Sequence, residues 1–300
     1  MWVGAEAPTL RDHTEFPTRR GCCPDPNVFL EGPMKREAAV EGRFYPDDPD
    51  ELRETIASFI RKPEVLLDAK AVVVPHAGYI YSGAVTGEVF SSVRLPRRII
   101  LLGPNHSGRG ASLALAPAGT WETPLGTAAI DVEMNRKLMA ECPELEEDAA
   151  AHRYEHSLEV QIPFLQMLQP EFTFCAICIR QIDFSVLEDL GHAMARVIGS
   201  LKEPVLLIAS SDMTHYESKE DAARQDQFAI DRILAVDPAG LYKVVLDKDI
   251  TMCGFAPAVA VLTACRDAGA ASGHLIRYTN SGEASGDYEQ VVAYAGIAVA

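Results

Sequence analysis

Three apolar runs in this sequence each end in a histidine, and that repeated design restricts what the chain can fold into. The first is Ala71-Val-Val-Val-Pro-His76, continued by Ala-Gly-Tyr-Ile-Tyr-Ser-Gly83. Arg98-Ile-Ile-Leu-Leu-Gly-Pro-Asn-His106 and Val205-Leu-Leu-Ile-Ala-Ser-Ser-Asp-Met-Thr-His215 repeat the pattern. Apolar runs of this length, closed by turn residues, read as strands buried on both faces. Each histidine then sits where its strand leaves the sheet. In open α/β sheets that is the end at which ligands bind.

Helical stretches separate these strands. Asp48-Pro-Asp-Glu51 opens the first, with Asp48 as N-cap and Pro49 in the first helical position. Further helices are expected over 83–93, 132–141, 184–201, 218–236, 238–246 and from Met252-Cys-Gly-Phe-Ala-Pro257 to about 268. In Tyr154–Leu168 a helical face of Leu158, Ile162, Leu165 and Leu168 is kinked or restarted at Pro163. A strand is expected over 172–179. The Gly-, Thr- and Pro-rich text between 111 and 130 reads as short antiparallel strands, and so do the closing runs His274–Thr279 and Val291–Val299. The expected fold is therefore α/β: a mostly parallel central sheet, helices on both faces, and added antiparallel strands. Residues 1–33 lack periodicity and read as a disordered extension. Residues 34–300 read as a single domain, with Met34 a candidate start.

The net charge of −16 opposes non-specific nucleic-acid binding. No apolar stretch reaches bilayer length and no leader pattern is visible, so the expected location is cytoplasmic. Cys22 and Cys23 fall in the extension. Cys175 and Cys178 form a CxxC, but on a strand residues three apart point to opposite faces, so buried structural cysteines are expected rather than a redox or zinc pair.

Neutral imidazole is a common metal ligand, and His76, His106 and His215 come from loops that should be neighbours. Any one of them is as readily a loop histidine bonded to a backbone carbonyl; the repeated placement points to a shared site. Asp212, three residues before His215, suits an acid/base or tautomer-fixing partner, or a cap of the helix that follows. His156 and Glu159 read either as a second acid/base pair or as a helix-start histidine with a solvated glutamate. Cys253 reads as a soft metal ligand, a lowered-pKa thiol or an inert buried cysteine. His13, His152, His192 and His274 have no matching context. Nucleophile-elbow, dinucleotide and Walker patterns are absent.

Pro75-His-Ala-Gly-Tyr-Ile-Tyr-Ser-Gly83, Gly103-Pro-Asn-His106, Thr123-Pro-Leu-Gly126, Glu155-His-Ser-Leu-Glu159, Ser210-Ser-Asp-Met-Thr-His215 and Cys253-Gly254 occur in this order. Together, over roughly residues 36–300, they resemble the Memo-like family, also called system protein B of the AmmeMemoRadiSam grouping. The resemblance implies a fold similar to class III extradiol ring-cleaving dioxygenases, which hold non-haem Fe(II). It implies His76, His106 and Cys253 as metal ligands, the cysteine standing where the dioxygenases carry a glutamate. Asp212 and His215 would lie beside the metal, and His156 and Glu159 would line the same cleft. Animal members carry basic or polar residues after Cys-Gly where this chain has Phe255-Ala256, which implies a more apolar pocket here.

The function that follows is a metal-dependent, redox-active, dioxygenase-like protein. Fe(II) is the first choice of cofactor, with copper or zinc as alternatives. The partner would be a small-molecule substrate or a peptide in the cleft. A functional link to a radical-SAM protein and an AMMECR-like protein is implied by the resemblance. The alternatives are a non-catalytic peptide-binding module using the same cleft and a zinc-dependent hydrolase.

Overall fold

A computed structural model describes residues 34–180 and 183–300; the extension read at 1–33 lies outside the described residues. In chain order the strands are β1 (Met34–Arg36), β2 (Ala71–Val74), β3 (Arg98–Pro104), β4 (Leu113–Leu115), β5 (Gly119–Thr123), β6 (Gly126–Ile130), β7 (Glu146–Glu147), β8 (Thr173–Ile179), β9 (Val205–Ser210), β10 (His215–Glu217), β11 (Gly273–Asn280) and β12 (Val291–Val299). They join one sheet whose main path runs β1-β5-β6-β8-β3-β9-β2-β12-β10. Its centre, β6-β8-β3-β9-β2, is parallel throughout. The last two strands pair antiparallel with each other, and β12 runs antiparallel to β2. β5 and β6 form the expected hairpin, its Thr123 paired with Gly126.

The apolar runs form strands because they have a core to enter on either side. Val72, Val74, Ile99, Leu101, Leu206 and Ile208 enter one core; Ala71, Val73, Ile100, Leu102, Leu207 and Ala209 enter the other. Helices Phe184–Gly199 and Phe255–Asp267 cover the second core with Leu187, Leu190, Val259 and Leu262. Helices Pro49–Phe59, Tyr79–Ser92 and Ile162–Leu168 cover the first with Leu52, Ile56, Phe90 and Phe164. Cys175 and Cys178 fall into opposite cores as free thiols, as strand geometry requires.

Asp48 caps its helix, its Oδ1 accepting from the amides of Asp50 at 3.0 Å and Glu51 at 2.9 Å. The helix expected from Gly83 begins earlier, at Tyr79. Gly83 and Gly87 are not turn residues there. A Cβ at either would stand 2.4 or 2.6 Å from Phe59, so these glycines let the two helices meet closely. Pro163 restarts the chain: a 3-10 turn, Glu159–Gln161, passes directly into Ile162–Leu168. Among the described residues, no helix is long and apolar enough to cross a membrane.

Candidate metal centre

β9 lies between β2 and β3 in the sheet. Val74 pairs with Ser210 and Leu102 with Ala209, so the three strands finish at a common level. Their following loops therefore open onto one edge, carrying His76, His106 and the 211–215 segment. A fourth contributor is the irregular stretch between helix Ala149–His152 and the 3-10 turn, which carries His156. One ligand atom from each of His76, His106 and His156 lies within 4.8 Å of the others. The His106 and His156 rings stack with centroids 4.7 Å apart, and Phe44 holds the His156 ring at another 4.7 Å. His76 is buried, His156 is half-buried and His106 is exposed.

Hydrogen bonds on the far ring nitrogens decide which nitrogen each imidazole can offer. His76 Nδ1 is 3.0 Å from Ser210 Oγ. His106 Nδ1 is 2.8 Å from Glu155 Oε1, and His156 Nδ1 lies 3.5 Å from that same oxygen. Glu155 also accepts the amides of His106 at 2.7 Å and Ser157 at 2.9 Å. In this arrangement the Nε2 atoms of His106 and His156 are left for a ligand, while that of His76 lies against Cys253 Sγ at 3.2 Å. Burial pushes the His156 imidazole down to about 4, and burial with the neighbouring imidazoles pushes His76 well down. Both are thus neutral near pH 7, with lone pairs available. Burial would raise the Glu155 carboxyl, but the hydrogen bond and charge of His106 hold it at about 2, so it stays a carboxylate. Neutral imidazoles backed by a carboxylate form a donor set that fits a divalent transition metal.

Cys253 also reaches this point. Its Sγ lies 3.2 Å from His76 Nε2 and accepts the Asp212 amide at 3.3 Å. In the chain itself burial, then the Asp212 charge, pushes the Cys253 thiol up. Gly254 allows the close approach of Cys253 to the sheet, since a Cβ there would stand 2.3 Å from the Ser210 carbonyl.

Asp212 Oδ1 accepts the backbone N–H of His76 at 2.7 Å, and burial pushes its carboxyl up to about 6. It does not cap the following helix; Ser218 does, accepting the Asp221 amide. His215 is half-buried and stays outside the three-histidine group. Its Nδ1 is tied to the Thr251 carbonyl at 2.9 Å, which leaves Nε2 free. Glu159 does not pair with His156. Both its oxygens are occupied by Arg36 at 2.8 Å, Tyr45 Oη at 2.6 Å and the amides of Ala39 and Val40.

Sequence reasoning missed Glu155 and Ser210 as partners of the imidazoles, although both stand in quoted motifs. The adjacent Glu155-His156 was the available signal. His152 and Cys178 form another unforeseen pair at 3.3 Å, deep in the core.

Residues 36–298 match the family model described as Memo-like protein. The chain belongs to the Memo-like family. A MEMO1 family protein of Methanopyrus kandleri is 40% identical over 278 residues, 88% of this chain and 98% of that protein. One from Aquifex aeolicus is 40% identical over 266 residues, covering 87% and 98%. One from Methanococcoides burtonii is 39% identical over 266 residues, covering 88% and 99%. This Memo-like chain also aligns with a solved structure of an uncharacterized Escherichia coli K12 protein. The TM-score is 0.47 at 12% identity, over 75% of this chain and 98% of the other, a likeness too slight to bear on the site.

Proposed function

We propose that this Memo-like protein is a metal-dependent oxidoreductase with a single metal centre held by His76, His106 and His156, with Cys253 beside them. The observation that carries the reading is the convergence of three imidazoles whose Nδ1 atoms face Ser210 or Glu155. Fe(II) is the metal proposed first, since imidazole ligands with open positions suit non-haem iron; the thiol makes copper or zinc the competing occupants. When bound, iron or copper would supply Lewis acidity and electron transfer toward dioxygen or a small substrate.

The chain's own residues complete the site. Asp212, with its carboxyl near 6, and His215, with a free Nε2, stand beside the cluster as groups able to hold or pass a proton. Phe44 walls the His156 side. Cys253 itself lines a cavity of about 360 Å³ with Phe255, Met252, Leu246, Asp249 and Thr251, whose mixed polar and apolar walls could take a small substrate.

The test is metal content after anaerobic purification, for wild type and for His156→Ala and Cys253→Ala. Near-stoichiometric iron or copper, falling sharply in His156→Ala, is the expected result. Failure of the wild type to take up Fe(II), Cu(I) or Zn(II) on reconstitution would leave the peptide-binding reading. Zinc alone, with no dioxygen consumed, would favour the hydrolase.

A further inference from the structure

We infer that a buried relay, Gln161 to Ser210 to His76, fixes the tautomer of His76 and so commits its Nε2 to the metal centre. The inference deepens the proposed function and shares its ligand His76, but the relay is defined by the metal-free chain.

Four hydrogen bonds leave one consistent assignment. Gln161 is fully buried, and its Nε2 lies 2.8 Å from the Pro75 carbonyl and 3.0 Å from Ser210 Oγ. A carbonyl oxygen can only accept, so the amide must turn its NH2 toward Pro75. That orientation leaves Gln161 Oε1 without a hydrogen-bond partner. An unpaired buried oxygen is costly, and in this orientation the Pro75 and Ser210 contacts offset it. Ser210 Oγ stands 2.7 Å from the Ser157 carbonyl, again acceptor-only, so its single hydrogen goes there. The hydroxyl oxygen then has only lone pairs for its other neighbours. One takes Gln161; the other faces His76 Nδ1 at 3.0 Å. His76 Nδ1 must therefore carry the hydrogen, and Nε2 the lone pair. Gln161, Ser210 and Ser157 are positioning residues; only His76 would touch the metal.

His76 differs here from its two neighbours. Glu155, a carboxylate, faces the Nδ1 of His106 and His156, while a neutral hydroxyl faces His76. Burial rules out a solvent route by which His76 Nδ1 could find another partner.

The experiment is long-range ¹H–¹⁵N spectroscopy on metal-free protein labelled at histidine, with the His76 signals assigned by their loss in His76→Gln. Wild type should show Nδ1–H with unprotonated Nε2. In Ser210→Ala the Gln161 amide faces the ring instead, and the population should move toward Nε2–H. Ser210→Thr should restore the wild-type pattern, which a merely structural role would not require. Zn(II) affinity, read by chelator competition, should fall about 10- to 100-fold in Ser210→Ala and recover in Ser210→Thr. Nε2–H in wild type, or an unchanged tautomer in a folded Ser210→Ala, would overturn the relay. Should Ser210→Ala not fold, Gln161→Met is the second variant: the Ser157 carbonyl still takes the Ser210 hydrogen, so Nδ1–H should persist, and a shift to Nε2–H there would overturn the relay. A wild type that shows Nδ1–H but binds no metal would sink the metal centre and leave the relay standing.

Discussion

Glu155 shows how one side chain can be buried as a charge at tolerable cost. It sits among donors only, two imidazoles and two amides, and its carboxyl is held at about 2 against the pull of burial. Its contribution to stability is therefore present above the ordinary glutamate range and lost as pH falls toward 2. His152 works the other way. Its Nε2–H is given to the Ala114 carbonyl at 3.1 Å, and its Nδ1 faces Cys178 Sγ. Burial, aided by the Arg36 charge, lowers its imidazole to about 4. The unfolded chain takes up a proton near 6.5 that the folded chain refuses until about 4, so stability falls as pH drops through that window. The single-site loss is about 3 kcal/mol. In urea titrations at pH 7 and pH 4.5, His152→Gln should lose correspondingly less stability between the two than wild type; equal losses would refute the assignment. Glu159 has its own test. Arg36 and Glu159 are both nearly fully buried, and Arg36 also stacks over Trp121 at 4.1 Å. Glu159→Gln leaves a buried cation unpaired and should cost about 3–5 kcal/mol in urea unfolding. Metal stoichiometry in the folded fraction should stay at the wild-type level, since Glu159 faces Arg36 and Tyr45 and not the imidazoles.

At the level of elements, β2, β3 and β9 were legible because each writes an apolar residue at nearly every position, which only a strand covered on both sides can satisfy. The loops that follow them were legible for the same reason, and so His76 and His106 were placed. β1 was not, being three residues long and held by Arg36 bonds to the carbonyls of His152 and Glu155, more than a hundred positions away. His156 was seen as a candidate but not as a member of the histidine group. Its segment has no periodicity, and what aims the ring is Phe44 on one side and His106 on the other. Glu159 was misread because a glutamate at helical spacing from a histidine looks the same whether it faces that histidine or a distant arginine. The short turn at Cys253-Gly254 makes an element-scale prediction. Gly254→Ala places a methyl 2.3 Å from the Ser210 carbonyl and 2.5 Å from Ser211 Cβ, so the turn and the sheet edge must part. Far-UV circular dichroism should be unchanged while metal content and thermal stability both drop. Full metal occupancy in that variant would show that Cys253 does not help hold the ion.

Across the whole molecule, the acidic charge, the two cores and the ordering of helices around a parallel sheet were all readable from composition and pattern. What escaped was the pairing of side chains across long separations, which local text does not encode. That same separation governs when the centre can come into being. His76 and Cys253 stand 177 positions apart, and the loops between them must close before their side chains meet. Contacts between residues so far apart form late, because the closure entropy comes before the contact can offset it. On the proposed reading, a metal touched by both His76 and Cys253 would meet its complete site only once the sheet edge that carries these loops has formed.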